Sequence, residues 1–229
     1  MWLNFHTHST YCDGKSSLED LVSKAKSLSM KWLGFSSHAP LPFDCTWCMK
    51  SEKLKEYLNK IATLKSGEGT EFYAGLEVDY IPGKIGPMDF PELDYTIGSI
   101  HFVESLPGGQ GWEIDGPRAH FLEGLEIIFL NNIKNAVQRY LELTREMVTL
   151  STPSIVGHLD KIKIQNADNK FFNEEDLWYR EEIKMTLEAI ARSGSIIEVN
   201  TRGLYQKKTQ TPYPSPWVLE LIAKKIYRL

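Results

Sequence analysis

The chain has 229 residues, 42% of them hydrophobic, and a formal net charge of −4, so one sizeable core and a single domain over residues 1–229 are expected. The negative net charge provides no broad cationic surface and argues against a nucleic-acid partner. The N-terminus lacks the pattern of a secretory signal and no stretch has the length of a membrane span, so a cytoplasmic protein without a membrane partner is predicted.

Short apolar runs alternate with longer amphipathic segments along the chain, which is typical of repeated βα units around a mostly parallel sheet. The predicted strands cover residues 2–5, 31–36, 71–78, 95–100, 154–156 and 196–199. The predicted helices cover residues 18–28, 51–64, 127–148 and 174–192, and a last helix begins near Pro216. A Pro-rich loop before residue 95 and a Gly-rich loop at 107–116 separate the middle elements. The pattern predicts an α/β fold, a βα barrel with about six visible strands.

Five of the six histidines lie directly after predicted strands, and an acidic residue joins them at the end of the third strand. These residues are His6, His8, His38, His101 and His158, with Glu77. Parallel strands of a barrel all end at one face, so these side chains are expected to meet there. Imidazole and carboxylate are preferred ligands of zinc, iron and manganese, and the set predicts a site for two or more ions. A single histidine of this kind would more often be an ordinary hydrogen-bonded residue.

Four further residues have alternative interpretations. Asp13 stands in an Asp-Gly pair, which is compatible with a plain turn and equally with a loop that folds back over His6 and His8. His120 precedes a predicted helix and is either a surface residue or a substrate contact. Cys45 and Cys48 have redox or zinc spacing, but without a second pair they are expected to be ordinary free thiols.

The candidate ligands fall in five short motifs. These are residues 5–9 (Phe-His-Thr-His-Ser), 35–38 (Phe-Ser-Ser-His), 75–80 (Gly-Leu-Glu-Val-Asp-Tyr), 94–102 (Asp-Tyr-Thr-Ile-Gly-Ser-Ile-His-Phe) and 156–160 (Val-Gly-His-Leu-Asp). In this order and spacing the motifs resemble the PHP superfamily, named for polymerase and histidinol phosphatase. The resemblance is closest to the histidinol-phosphate phosphatase branch and covers nearly the whole chain.

The resemblance implies a distorted seven-stranded βα barrel, similar to a TIM barrel, with two or three divalent ions of zinc, iron or manganese. It assigns His6, His8 and Glu77 to the first ion. It makes Glu77 a bridge to a second ion held by His101 and His158, and it gives Asp13 and His38 to the third. Family members also carry an Asp-X-His motif after the last strand, which this chain lacks before Leu229. A missing last strand, and a domain incomplete at its C-terminus relative to the family, are therefore expected.

Clustered divalent ions activate water and hold phosphate oxygens, so the implied reaction is hydrolysis of a small phosphate monoester. The branch implies L-histidinol phosphate as this small-molecule substrate, within histidine biosynthesis. The candidate acids that protonate the leaving group are Asp160 and a metal-bound water. The candidate substrate contacts are Arg202, Lys161, Asn200 and His120, of which Arg202 is the preferred phosphate ligand because its guanidinium matches phosphate oxygens in pairs. The loop with Trp112, Glu113 and Asp115 is either a lid or plain surface.

Three alternatives stay open at this point. The chain could be a PHP phosphoesterase acting on another small phosphate or a nucleotide, which a panel of monoesters would reveal. It could be a catalytically impaired protein that still binds metal, which would give bound metal without turnover. The histidines could also be incidental to a βα scaffold, in which case alanine at His6 or His101 would change little.

Overall fold

The computed structural model describes residues 2–64 and 69–226. Among these residues the strands are β1 (Leu3–Asn4), β2 (Trp32–Phe35), β3 (Glu71–Asp79), β4 (Tyr95–Ser99), β5 (Phe102–Ser105), β6 (Gly111–Glu113), β7 (Ile155–Val156) and β8 (Ile196–Ile197). The helices are α1 (Leu18–Ser27), α2 (Leu54–Leu64), α3 (Arg118–Ile127), α4 (Ile133–Leu150), α5 (Leu177–Ser193), α6 (Arg202–Tyr205) and α7 (Pro216–Ile226). The predicted α/β class is confirmed by this alternation.

The described residues form two compact units. The first unit contains those of Met1–Gly98 and Pro153–Ile155, and the second contains those of Ser99–Thr152 and Val156–Leu229. The single domain expected from the sequence stays a prediction.

The first unit is built on a parallel sheet. Strand β2 pairs in parallel with β1 and with β3, so that Leu33 lies opposite both Asn4 and Phe72. The strand order continues from β3 to β4 and then to Ile155 of β7. Because β1, β2 and β3 run in one direction, the residues that follow them emerge at the same edge of the sheet.

Tyr95 occupies the space beneath the first three strands. Its hydroxyl donates hydrogen bonds to the carbonyl oxygens of Phe5 at 2.7 Å and of Phe35 at 3.1 Å. A Cβ atom at Gly34 or at Gly75 would overlap the Tyr95 side chain. The two glycines therefore provide the room that lets one tyrosine tie β2 to the segment after β1.

The second unit corrects two predicted elements. The predicted loop at 107–116 contains β6, which pairs with β5 as an antiparallel ribbon. The predicted helix at 127–148 corresponds to α4, which begins at Ile133, and a further helix, α3, precedes it. Leu130 and Asn131, between the two helices, adopt positive φ angles of 52° and 61°. His120 consequently lies within α3 and not in a loop.

Burial explains why the glycine-rich segment is ordered. Trp112 is fully buried, its ring stacks on Phe121 at a centroid distance of 5.2 Å, and its indole N–H donates to the backbone of α3. A large aromatic side chain with a satisfied N–H stabilises such a ribbon strongly. Trp112 is thus part of the core and not of an exposed lid.

Cys45 and Cys48 form a disulfide with a Cα–Cα distance of 5.4 Å, so the expectation of free thiols at these positions is wrong. The three-residue spacing brings the two sulfur atoms together within one turn.

Among residues 2–64 and 69–226, no helix combines the length and the apolar composition needed to cross a membrane.

Candidate metal centre

Hydrogen bonds of serine side chains beyond the ends of the strands position the candidate ligands of the first unit. The Thr7 N–H donates to the Ser36 hydroxyl at 2.8 Å, and the Ser9 and Ser37 hydroxyls lie 2.8 Å apart. These contacts join the segment that carries His6 and His8 to the segment that leads into His38. The two segments therefore stay paired after β1 and β2 have ended.

His38 and Glu77 are paired in the same way. They form a parallel bridge, in which the Ala39 N–H donates to the Glu77 carbonyl oxygen at 2.8 Å. The Glu77 N–H donates in turn to the Ser37 carbonyl oxygen at 3.1 Å. Sheet pairing thus sets the distance between these two side chains.

Glu77 is the centre of the histidine cluster. One of its carboxylate oxygens, Oε2, lies 3.0 Å from His6 Nε2, 3.0 Å from His8 Nε2 and 3.2 Å from His38 Nδ1. Only 1% of Glu77 is exposed. The structure therefore brings together three histidines, from two separate segments of the chain, around one buried carboxylate.

Asp13 completes this cluster from the loop after His8. Its Oδ1 lies 2.7 Å from His8 Nδ1 and 3.9 Å from His38 Nε2. The loop can fold back this far because the next residue is Gly14, where a Cβ atom would overlap the backbone of His8 and Ser9. The Asp-Gly pair is thus a turn, and the turn also places the carboxylate against two histidines.

The cluster favours positive charge. Burial by itself lowers the pKa of His8, but hydrogen bonds to Asp13 and Cys12 and the charge of Glu77 raise it, and the resulting pKa is well above the ordinary value. Burial raises the pKa of the Cys12 thiol, but the neighbouring His8 lowers it, and the net pKa is below the usual one. The raised pKa of His8 indicates that its neighbours stabilise the protonated ring, and the lowered pKa of Cys12 indicates that His8 stabilises the thiolate.

The donor atoms fit divalent metal ions. His6, His8 and Glu77 each offer one ligand atom, and these atoms lie within 4.8 Å of one another, as do those of His8, Asp13 and His38. Ligand atoms about 2.0–2.2 Å from a common ion have separations of this size. His8 Nε2 lies 3.0 Å from Glu77 Oε2, with 7% of the His8 side chain exposed, so both atoms could bind one ion.

A second pair of candidate ligands lies in the second unit. The rings of His101 and His158 have a centroid distance of 5.0 Å, and both residues are buried. The His158 backbone adopts a positive φ of 22°, which is uncommon for a residue other than glycine. Its N–H donates to the Glu198 carboxylate at 2.7 Å, and this contact holds the unusual conformation.

Lys161 and Asp115 lie beside His101. The Lys161 ammonium is 3.0 Å from His101 Nε2 and 2.8 Å from Asp115 Oδ2. Burial by itself would raise the pKa of Asp115, but the charge of Lys161, with contributions from His101 and His158, holds it well below the ordinary value. Asp115 is therefore an ionised carboxylate paired with a lysine.

Asp160, the predicted leaving-group acid, is fully buried. Its Oδ2 accepts hydrogen bonds from the Lys163 ammonium and from the Ser215 N–H, each at 2.9 Å. Burial raises the pKa of Asp160, and the Lys163 charge opposes that rise. The role of Asp160 as a catalytic acid stays a prediction.

The other predicted substrate contacts lie in separate places within the second unit. Asn200 donates to the Glu198 carboxylate at 3.0 Å, and its side-chain oxygen accepts the N–H of Arg202 at 2.9 Å. Arg202 is exposed at the first turn of α6. His120 Nε2 lies 3.3 Å from the Gly111 carbonyl oxygen, a contact within the packing of α3 on β6.

Sequence reasoning missed the residues that orient the candidate ligands. Ser36 and Ser37 stand inside one of the motifs, but nothing in a single sequence distinguishes a serine that pairs two segments from a surface serine. Glu198 has a weak signal, since it is an acid in an apolar strand pattern. Asp115 was predicted only as part of a possible lid, because its contact with Lys161 depends on the fold of the ribbon.

Comparison with known proteins places these observations in context. The chain matches the family model described as the PHP domain over residues 4–202. A protein of Schizosaccharomyces pombe named probable histidinol-phosphatase is 26% identical over 248 residues, covering 98% of this chain and 77% of that protein. A Deinococcus radiodurans protein of the same name is 26% identical, covering 96% of this chain and 80% of that protein.

Solved structures show the same fold. A Listeria monocytogenes protein assigned as a histidinol phosphatase superimposes with a TM-score of 0.81 at 22% identity, covering 97% of this chain and 91% of that chain. This similarity confirms the predicted fold class, a distorted βα barrel of the PHP type. A histidinol phosphate phosphatase of Lactococcus lactis, solved with zinc, L-histidinol and phosphate, gives a TM-score of 0.61 at 21% identity, covering 90% of this chain and 75% of that chain.

Proposed function

This chain belongs to the PHP domain family, and we propose that it is a metal-dependent phosphatase whose substrate is L-histidinol phosphate. The predicted enzyme class, a phosphoric monoester hydrolase of the histidinol-phosphatase type, is confirmed by the relatives that carry this name. The observation that carries the proposal is the arrangement of three histidines around the buried carboxylate of Glu77.

Histidinol phosphate is proposed as the substrate for two reasons. Relatives aligned over nearly the whole chain are named histidinol phosphatases. The Lactococcus lactis structure contains L-histidinol and phosphate, the two products of such a reaction.

The proposed ligands fall into the clusters described above. His6, His8 and Glu77 would hold one divalent ion, Asp13 and His38 another, and His101 with His158 a further one. The sharing of Glu77 between ions stays a prediction. Bound divalent ions supply activation of water for attack and stabilisation of the charge that develops on the phosphate.

The protein holds the proposed metal ligands in position for this chemistry. Ser36 and Ser37 fix the segment that carries His6 and His8, and Glu198 fixes the backbone of His158. Ligands that are held in place before the substrate arrives need no reorganisation during the reaction. Arg202 lies exposed at the first turn of α6, and its guanidinium would pair with phosphate oxygens.

Metal removal tests the first part of the proposal. We expect purified protein to contain two to three equivalents of zinc, iron or manganese by elemental analysis. Dialysis against a chelator should abolish phosphate release from L-histidinol phosphate, and added metal should restore it. Protein that carries no metal and binds none on addition would contradict the proposal, whereas bound metal without release from any ester would indicate a metal-binding protein without this activity.

A panel of phosphate monoesters tests the substrate separately. L-histidinol phosphate is expected to give the highest kcat/KM among esters that include a nucleoside monophosphate, a sugar phosphate and p-nitrophenyl phosphate. A higher kcat/KM for one of the other esters would support the phosphatase activity but contradict L-histidinol phosphate as the substrate.

Arg202→Met is expected to raise KM for the phosphate ester about tenfold with little change in kcat. The reason is that a charge-assisted pair of hydrogen bonds to phosphate would be lost from substrate and transition state alike. Steady-state kinetics would measure the effect. Arg192→Met, which removes an exposed guanidinium at the end of α5, is the matched control and should leave KM unchanged. Equal KM values for the two variants would exclude Arg202 from phosphate binding.

A further inference from the structure

The disulfide between Cys45 and Cys48 lies in the irregular segment that follows His38. Residues 39–50 form neither a helix nor a strand, and within them the two cysteines are buried while Thr46 between them is exposed. Cys12, the third cysteine of the chain, is a free thiol. The cysteine pair, which has redox spacing in the sequence, therefore closes a four-residue loop with one side at the surface.

The loop contacts His38 at its ring and at its backbone. The Trp47 ring packs against the His38 ring at a centroid distance of 4.5 Å, with 68° between the two planes. The N–H of Met49, the residue after Cys48, donates to the His38 carbonyl oxygen at 3.1 Å, and Met49 itself is buried in the core. The disulfide is thus covalently continuous with the residues that hold a proposed metal ligand.

The short span of the disulfide indicates a local role. A cross-link stabilises a fold by restricting the unfolded chain, and this restriction grows with the number of residues in the closed loop. Here the cysteines are only three positions apart, so the restriction of the unfolded chain is small. The intact bond does keep the two Cα atoms close together and so limits the backbone around Trp47. Its main effect is therefore expected on the position of Trp47 against His38.

We propose that Cys45 and Cys48 form a reversible redox site, in which a dithiol opens the disulfide and thereby weakens metal binding at His38. Trp47 is the positioning residue that connects the two events. With the disulfide intact, the indole keeps the His38 ring in one orientation before metal arrives, and a ligand oriented in this way binds metal more tightly. The proposal rests on the proposed function in one respect, namely that His38 is a metal ligand.

The reaction at this site is thiol–disulfide exchange. One thiolate of the dithiol attacks a sulfur atom of the pair, the S–S bond breaks, and a mixed disulfide forms. The second thiol of the reductant then displaces the protein sulfur. Cys45 and Cys48 each end as a protonated thiol, and the dithiol, which has supplied two electrons and two protons, becomes a disulfide. An external disulfide such as oxidised glutathione reverses the exchange.

Thiol counting tests whether the redox site exists. Alkylation of denatured protein should label one thiol, Cys12, in protein kept in air, and three thiols after treatment with dithiothreitol. Oxidised glutathione should then protect Cys45 and Cys48 from labelling again, without glutathione attached to the peptide that contains them. Three labelled thiols in protein kept in air would overturn the proposal.

Manganese binding measures the coupling to the metal centre. Mn²⁺ is the probe because it has little preference for thiolate, so the two new thiols do not add a site of their own. Electron paramagnetic resonance of free Mn²⁺ should show about tenfold weaker binding at one site after reduction and removal of the dithiol. His38→Ala should lack this site in both states. The double variant Cys45→Ser with Cys48→Ser is the control for the reductant: it should match the reduced protein and should not respond to dithiothreitol.

Two substitutions test Trp47 as the connection. Trp47→Ala should bind Mn²⁺ about tenfold more weakly while the thiol count still shows an intact disulfide, and reduction should have little further effect. Trp47→Phe keeps an aromatic ring against His38, so it should retain most of the affinity and the response to reduction. A full response to reduction in Trp47→Ala would overturn the role of Trp47.

The outcomes separate this proposal from the proposed function. Equal Mn²⁺ affinity in protein with one and with three labelled thiols would overturn the redox control and leave the metal centre intact. Tighter binding after reduction would also overturn it, because the intact disulfide is expected to orient His38 for metal. If neither form binds Mn²⁺ or Zn²⁺, the proposed metal centre is wrong, and the coupling to it fails as well.

Discussion

Glu77→Gln is expected to lower kcat by about a thousandfold or more and to reduce the bound metal. Glu77 is buried, and its Oε2 lies within 3.2 Å of nitrogen atoms from three histidines. The amide has nearly the same shape as the carboxylate but no negative charge to balance divalent ions in a buried position. The amide is also a poorer ligand, so the loss should exceed that from removing one orienting hydrogen bond.

The control for this prediction lies on the same strand. Glu71 begins β3 and is exposed, so Glu71→Gln removes an equal charge from the same element. We expect Glu71→Gln to keep its metal content and kcat. Far-ultraviolet circular dichroism and thermal unfolding would show whether Glu77→Gln remains folded. A folded Glu77→Gln protein with normal metal content and turnover would exclude Glu77 from the centre.

Gly34→Ala is expected to lower the free energy of unfolding by about 3 kcal/mol. The new Cβ atom would overlap the Tyr95 hydroxyl, and the Phe5 ring is also close. The tyrosine cannot easily move aside, because the same hydroxyl donates to the carbonyl oxygens of Phe5 and Phe35. Denaturant unfolding measured by tyrosine and tryptophan fluorescence would give the value.

A double-mutant cycle tests this reason. Tyr95→Phe removes the nearest of the three atoms that the new methyl group would overlap and frees the ring to shift, so Gly34→Ala should cost less in that background than in the original protein. Tyr95→Phe alone should be destabilising by about 1–3 kcal/mol, because the buried carbonyl group of Phe35 and the partly buried one of Phe5 lose a donor. An equal cost of Gly34→Ala in both backgrounds would show that the tyrosine hydroxyl is not the obstacle.

Most strands and helices could be predicted from the sequence, because their apolar periodicities are regular. The predicted strand at 71–78 corresponds to β3, and the predicted helix at 51–64 corresponds to a short 3₁₀ turn followed by α2. The prediction failed between residues 102 and 132. There, glycines around Trp112 concealed a ribbon that is stabilised by long-range packing, and the break at Leu130 and Asn131 has no proline or glycine to mark it.

For the candidate metal centre, the ligands could be predicted from the sequence but the contacts of Lys161 and Asp160 could not. The positions of His6, His8, His38 and Glu77 after strands indicated that they would meet, since parallel strands end at one edge of a sheet. The partners of Lys161 could not be predicted, because Asp115 is 46 positions away and reaches the lysine through the turn of a ribbon. The burial of Asp160 beside Lys163 likewise depends on the segment around Ser215, which no local pattern links to it.

The pairing of His38 with Glu77 makes metal content a measure of strand register. Their separation is fixed by hydrogen bonds that extend the β2–β3 pairing. A slip of one residue between these strands would turn one of the two side chains to the opposite face. Misregistered molecules would therefore fail to assemble the centre, and the metal bound per chain in a refolded preparation would report the fraction of molecules whose strands have aligned correctly.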